Sequence, residues 1–339
     1  MRHAIGLSAI ALSLSWSTLA GAAPEAKSLL EKAKVGDAIV VESLALSPLI
    51  ATDKNAPAGD ELLTLDETMP KKLVTIVEFN EGDVNNLTFS NKSDKPVFLL
   101  AGEVIIGGKQ DRIIGRNTIV PAKKVQQVPV FCVEHGRWNG ETKEFTTAKA
   151  LAHGRLRGKA SFESQQDVWD EVATKNVARK TKSNSDTYRK VAAQQSDGTL
   201  GTWEKQIDTA IDKLSTDDKA HLVGFAVSVN GQVATIDLFQ SPALFKKLES
   251  KLVRSYITEA VDTKAKKEAK PPTDKDIKAF VADAEKAKPE ASYATDSSDT
   301  TVNKGVHAAK ARVMYKKGGP PAPASAPAEP AVYETYQSH

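Results

Sequence analysis

Most of the residues able to do chemistry fall between Pro96 and Trp138, in PVFLLAGEVIIGGKQDRIIGRNTIVPAKKVQQVPVFCVEHGRW. Glu103, Arg112, Arg116, Cys132, Glu134, His135, Arg137 and Trp138 are gathered there around Gly107-Gly108, and Cys132 is the chain's only cysteine. Cys132 as a nucleophile would need a base, Glu134 or His135, and a cationic setting that Arg112 or Arg137 could supply. Glu103 and Glu134 could work as a carboxylate pair in acid/base chemistry or grip a ribose hydroxyl, or each could sit in a buried ion pair with Arg112 or Arg137. Glu103, Cys132 and Glu134 are the catalytic candidates. Gln110, Arg112, Arg137, Trp138 and, far downstream, Asp237 are the ligand-binding candidates.

Two other chemistries fit poorly. Counted from Gly102, a phosphate loop would need its lysine one position before Lys109 and a hydroxyl directly after the lysine, whereas Gln110 follows Lys109. A turn or bulge at Gly107-Gly108 answers the same residues. A metal site built from Glu103, Cys132, Glu134 and His135 matches no zinc spacing, and neighbours on a strand point to opposite faces, so no metal is assigned.

The elements that must hold these residues read as strands and turns. Ala38–Ala51 is rich in Val, Ile and Leu and predicts one or two strands, ending at the turn-forming Asp53–Gly59. Leu73–Phe79 and Leu87–Ser90 predict two more. If Val97–Ile105 is one strand, Glu103 shares a face with Val97, Leu99, Ala101 and Ile105, and a carboxylate in that apolar row needs a partner. In Val125–Glu134, Val128, Val130, Cys132 and Glu134 share a face, and Pro129 marks an edge or bulge. Residues 144–157 yield no assignment. Beyond them, Gln165–Thr181 has helical spacing, and Trp203, Ile207, Ala210, Ile211 and Leu214 line one face of an amphipathic helix. Asn230-Gly231 between LVGFAVSV and QVATIDLF predicts a type I′ hairpin, because both turn residues must take positive φ. Ser241 then caps a helix with Pro242 in its first turn and Leu244, Phe245, Leu248, Leu252 and Tyr256 buried. Another helix is predicted over 273–286, and a closing strand over 306–315. The expected fold class is α+β: a β-rich N-terminal half, sheet or sandwich, followed by a helical C-terminal half containing a β-hairpin.

Composition sets the outer bounds. The 339 residues carry a net charge of +3, too balanced for a nucleic-acid partner, and 40% hydrophobic content suits one or two cores. Arg2, the apolar run Ala4–Trp16 and Ala20-Gly21-Ala22 predict a signal peptide over residues 1–22, cleaved after Ala22, and hence a periplasmic or secreted protein. No later run is long enough to span a membrane. The expected organisation is a domain over 23–315, β-rich over 23–140 and helical with the hairpin over 141–315, then a disordered Pro/Ala-rich tail over 316–339.

LLAGEVIIGGKQDRII, IVPAKK, VPVFCVEHGRW and GFAVSVNGQVATIDLFQSPALFKKLESKL together resemble the ARG and Rhodanese-Phosphatase-superfamily-associated protein domain family, a domain of unknown function. The resemblance runs over about residues 38 to 315 and rests on the A-G-E of residues 101–103, Gly107, Gly108, Gln110, Arg112, the V-P-V of residues 128–130, Cys132, Val133, Glu134, the G-R-W of residues 136–138, Asn230-Gly231, Asp237 and Phe239. His135 and the basic helix after Ser241 have no place in that pattern. The resemblance implies a direction toward NAD and ADP-ribose processing, without a mechanism or a cofactor. Two functions stay open: an exported domain that binds or processes a small polar ligand, nucleotide or ADP-ribose-like, at a Glu/Arg/Cys/Trp cleft, and a non-catalytic envelope module. Convergence of Glu103, Cys132 and Glu134 in an open pocket would favour the first, and their sealing by ion pairs the second.

Overall fold

The computed structural model describes residues 28–53, 59–80, 83–136, 142–316 and 331–338. Among these, 18 strands form three sheets with helices distributed between them, which overturns the division into a β-rich first half and a helical second half. The first half holds β1 (Ala33–Val35), β2 (Ile39–Val41), β3 (Leu44–Ala51), β4 (Leu63–Thr64), the short helix α1 (Leu65–Thr68), β5 (Val74–Glu78), β6 (Asn86–Asn91) and β7 (Val97–Leu99). The motif region follows as β8 (Glu103–Gly107), β9 (Arg112–Ile114), β10 (Thr118–Val120), β11 (Val125–Cys132) and β12 (Phe145–Leu151). Then come α2 (Gly154–Phe162), α3 (Gln165–Ala178), α4 (Arg189–Ala193), α5 (Gly198–Asp212) and α6 (Thr216–Ala220), the hairpin of β13 (Leu222–Val229) and β14 (Gln232–Phe239), α7 (Pro242–Ala260) and α8 (Asp274–Lys286). Four strands close the chain: β15 (Pro289–Ala294), β16 (Ser298–Lys304), β17 (Ala308–Tyr315) and β18 (Ala331–Ser338).

These last strands explain the error. SDTTVNK and AVYETYQS interleave their Thr, Val and Tyr with Asp, Asn, Lys, Glu and Gln, and β16–β18 bury charge and polarity: Lys310, Arg312, Glu334 and Thr335 are all enclosed. Glu334 accepts from Arg312 Nε and, at its other oxygen, from the Ser28 hydroxyl and the Leu29 amide at 3.0 Å each. Pairing of this kind is what permits charge in a sheet interior. Residues 331–338, expected in a disordered tail, are therefore an inner strand, hydrogen-bonded to β14 on one side and β17 on the other.

β18 belongs to a nine-stranded antiparallel sheet ordered β1-β3-β13-β14-β18-β17-β16-β15, with β2 also on β3. α5 and α7 cover one face through Trp203, Ile207, Leu244, Leu248 and Leu252, and α8 covers the other through Ile277, Val281 and Ala284. The hairpin and α7 form as their sequences direct. Asn230 and Gly231 take φ of 50° and 79°, and the Ser241 hydroxyl accepts from the Leu244 amide at 2.9 Å.

The motif strands lie in a six-stranded sheet ordered β12-β8-β9-β11-β6-β5, whose outer strands touch through an antiparallel bridge between Val77 and Glu144. The sheet thus curls around an interior of Ile76, Leu87, Phe89, Ile105, Ile114, Val128, Val130 and Phe145. Its outer face packs on α2, α3 and the start of α4. Val97–Ile105 is not one strand. The chain turns at Ala101-Gly102, where Gly102 has a φ of +93°, so β7 leaves for a three-stranded sheet with β10 and β4. β11 follows the alternation predicted for it, and Pro129 marks where its pairing passes from β6 to β9.

Candidate functional site

Glu103 is buried at the start of β8, beside the turn that Gly102 makes possible. One carboxylate oxygen accepts from the Leu100 amide at 2.9 Å, and the other meets the Lys251 ammonium at 2.6 Å. Lys251 comes from α7, 148 residues later, and it also holds Asp66 of α1 at 2.6 Å. The counter-charge is therefore this lysine, rather than Arg112. Burial raises the Glu103 carboxyl above its usual value, against the pull of Lys251. Burial alone would lower the Lys251 ammonium, but the two carboxylates outweigh it and hold its pKa above the usual lysine value.

Asp237 lies in a second sealed cluster. Arg157 of α2 grips it with two parallel hydrogen bonds of 2.8 and 2.7 Å, and the hydroxyls of Tyr256 and Tyr333 donate to the same carboxylate. All four side chains are buried. Burial opposes ionisation of Asp237, yet the charge of Arg157 prevails and holds the carboxyl below its ordinary range. The two clusters meet at Gly102: a Cβ on that residue would stand 2.5 Å from Arg157 Cγ.

The remaining candidates cluster where β9 begins and β11 ends. Cys132 stands directly opposite Arg112 on the interior face, its thiol 2% exposed and turned to the Val84 carbonyl at 3.7 Å. Burial pushes the thiol pKa up, although Arg112 pulls it down, so the neutral thiol prevails. Its main-chain N–H and carbonyl are both taken by the Gln165 side-chain amide at 2.9 Å, which acts as a short extra strand. Gln110 donates to the Glu134 carbonyl at 2.7 Å and accepts from Arg112 Nη1 at 3.2 Å. The Glu134 carboxylate accepts from the Asp111 amide, and Asp111 is in turn clamped by Arg189 at 2.9 and 2.7 Å and by the Thr187 hydroxyl. His135 is exposed and meets Trp169 edge to face. Arg137 and Trp138 lie outside the described residues. The structure thus brings Gln110, Arg112, Cys132 and Glu134 together, and gives Glu103 and Asp237 separate partners.

Lys251, Arg157, Tyr256 and Tyr333 were not among the candidates. Lys251 carried a signal, since it falls on the apolar side of the α7 helix, one position before Leu252. A buried chain of Tyr188, His153 and Glu171 was missed as well: Tyr188 OH lies 2.9 Å from His153 Nδ1, and His153 Nε2 lies 2.8 Å from Glu171. The Tyr188 oxygen already accepts from the His153 amide, so the arrangement that satisfies every atom has tyrosine donating to Nδ1 and Nε2–H donating to Glu171. Burial lowers the His153 pKa, in keeping with that neutral ring.

Among the described residues no cluster of His, Cys, Asp and Glu is arranged to hold a metal ion, and no helix is long and apolar enough to cross a membrane. A cleft of about 660 Å³ opens between α5, α6 and α7, lined by Asp60, Asp212, His221, Phe245 and Glu249 among others, none of them in the motif. The chain holds its motif strands, the hairpin and α7 within a single matched region. It belongs to the ARG and Rhodanese-Phosphatase-superfamily-associated Protein domain family, whose model matches residues 32–319. Neither the curated proteins nor the solved structures contain a match.

Proposed function

We propose that this domain is an exported, non-catalytic module of the cell envelope, in which the family motif braces two β-layers rather than turning over a substrate. The observation that carries this reading is the sealing of Glu103 by Lys251, which also holds Asp66, matched by that of Asp237 by Arg157 and two tyrosines. A general base must reach a substrate proton within hydrogen-bonding distance. Glu103 and Asp237 are enclosed with their hydrogen-bonding capacity spent on protein groups, and Cys132 is a neutral, covered thiol. A hydrolase or transferase acting on nucleotides or ADP-ribose would need at least one of these groups at a surface. Export rests on the sequence of residues 1–22, and the intact mass of protein from the envelope fraction should lack them; a mass that retained Met1 would reject it. For catalysis, the purified mature protein is incubated with ADP-ribose, NAD and nucleotides, and products are followed by chromatography. The expected result is no turnover. Turnover that disappears in Glu103→Gln while the fold is retained would refute the reading.

A further inference from the structure

Among the described residues three arginines are buried, and two of them meet carboxylates: Arg157 grips Asp237, and Arg312 meets Glu334. The third, Arg112, has a single hydrogen bond, from Nη1 to Gln110, and its Nε and Nη2 have no partner. Those two nitrogens are one edge of the guanidinium, carrying two parallel N–H groups. Arg189 uses the same edge to clamp Asp111, with Nε and Nη2 at 2.9 and 2.7 Å from the carboxylate. An arginine edge of this shape matches carboxylate and phosphate oxygens in pairs. Burying it without an anion costs several kcal/mol.

The surroundings hold the edge in place. Gln110 fixes the guanidinium through Nη1 while its own amide is anchored on the Glu134 carbonyl, and Ile105 and Cys132 flank Arg112 in register on β8 and β11. The charges of both Arg112 and Glu78 act on the Cys132 thiol, which places Glu78 at the same end of the curled sheet. One oxygen of Glu78 accepts from the Lys109 amide at 2.7 Å, and the other, Oε2, is buried with no partner. A fixed pair of donors and a lone acceptor therefore share one end of this interior.

We propose that this end of the six-stranded sheet binds a small oxyanion that also carries a hydroxyl, the oxyanion on the Nε/Nη2 edge of Arg112 and the O–H donated to Glu78. Hydrogenphosphate and α-hydroxycarboxylates share that chemistry. This site performs no reaction, so it is compatible with a non-catalytic module and stands on separate observations.

The test is calorimetric titration of the mature protein with inorganic phosphate and, separately, with glycolate, repeated on Arg112→Lys, Arg112→Met and Glu78→Gln. Saturable binding of either probe is expected, phosphate alone pointing to a phosphorylated ligand and glycolate alone to a hydroxy acid. Lysine keeps the charge but lacks the paired edge, so affinity should fall roughly tenfold or more, with methionine abolishing binding. Arg112→Lys keeps the test informative should Arg112→Met fail to fold. No saturable binding of either probe to folded wild-type protein, or equal affinity in Arg112→Lys, would overturn the proposal. So would absent binding accompanied by coupled stability losses in Arg112→Met and Glu78→Gln, which would mean that the two residues simply pair with each other.

Discussion

Gly102 shows how much a single residue holds. Its φ of +93° permits the turn that sends β7 and β8 into different sheets, and its missing side chain lets Arg157 pass. Gly102→Ala should cost about 1–3 kcal/mol from the backbone alone, and more from the displacement of Arg157. Chemical denaturation would measure this as a lower midpoint, and an unchanged midpoint would mean that the turn relaxes freely. The sequence displayed this glycine within an A-G-E motif, but not its conformation. Likewise a counter-charge for Glu103 was legible in the sequence, although from an apolar row that the turn at Gly102 breaks. The identity of Lys251 was not, because 148 residues separate the pair and only the packing of α7 unites them.

At the scale of elements, legibility followed chemistry. Asn230-Gly231, the Ser241 cap and the period of α7 are local signals with local causes, and they predicted the hairpin and helix that form. The strand predicted over 306–315 forms as β17, whereas β16 and β18 escaped because their buried polar and charged side chains are satisfied by distant partners, which no local pattern records. β18 is the sharpest case, since it fills the place between β14 and β17 and its Glu334 neutralises Arg312. A chain ending at residue 316 would leave two strand edges bare and take from buried Arg312 the nearer of its two carboxylates, with Glu285 left at 3.6 Å, at a cost of up to about 3–5 kcal/mol for the broken pair. Against a total stability of roughly 5–15 kcal/mol, that truncation should be largely unfolded by circular dichroism. A cooperative melt near that of the full chain would show β18 to be dispensable.

The molecule as a whole is bound together by buried polar links between layers, and one of them should set its response to acid. His153 has a folded-state pKa below the ordinary 6.5, with burial as the leading cause. Below that ordinary value the unfolded chain takes up a proton that the folded ring refuses. The stability contributed by the neutral ring is therefore complete above about pH 6.5 and declines as the pH falls toward the folded-state value. Denaturant midpoints measured across this range should drop in the wild type and drop less in His153→Gln. Equal slopes would mean that His153 titrates normally.

The central claim is that the motif's carboxylates are structural, and a double-mutant cycle on Glu103 and Lys251 tests it most directly. Glu103→Gln deprives the buried lysine of one of its two carboxylates, and Lys251→Met leaves Glu103 buried beside Asp66 with no cation. Breaking a buried pair from one side costs about 3–5 kcal/mol, softened in Glu103→Gln by the remaining Asp66. The account predicts that the double variant loses less stability than the two singles combined, by about 1–3 kcal/mol in denaturant unfolding. Losses that add to within about 0.5 kcal/mol would contradict it, because residues acting independently cannot be a brace.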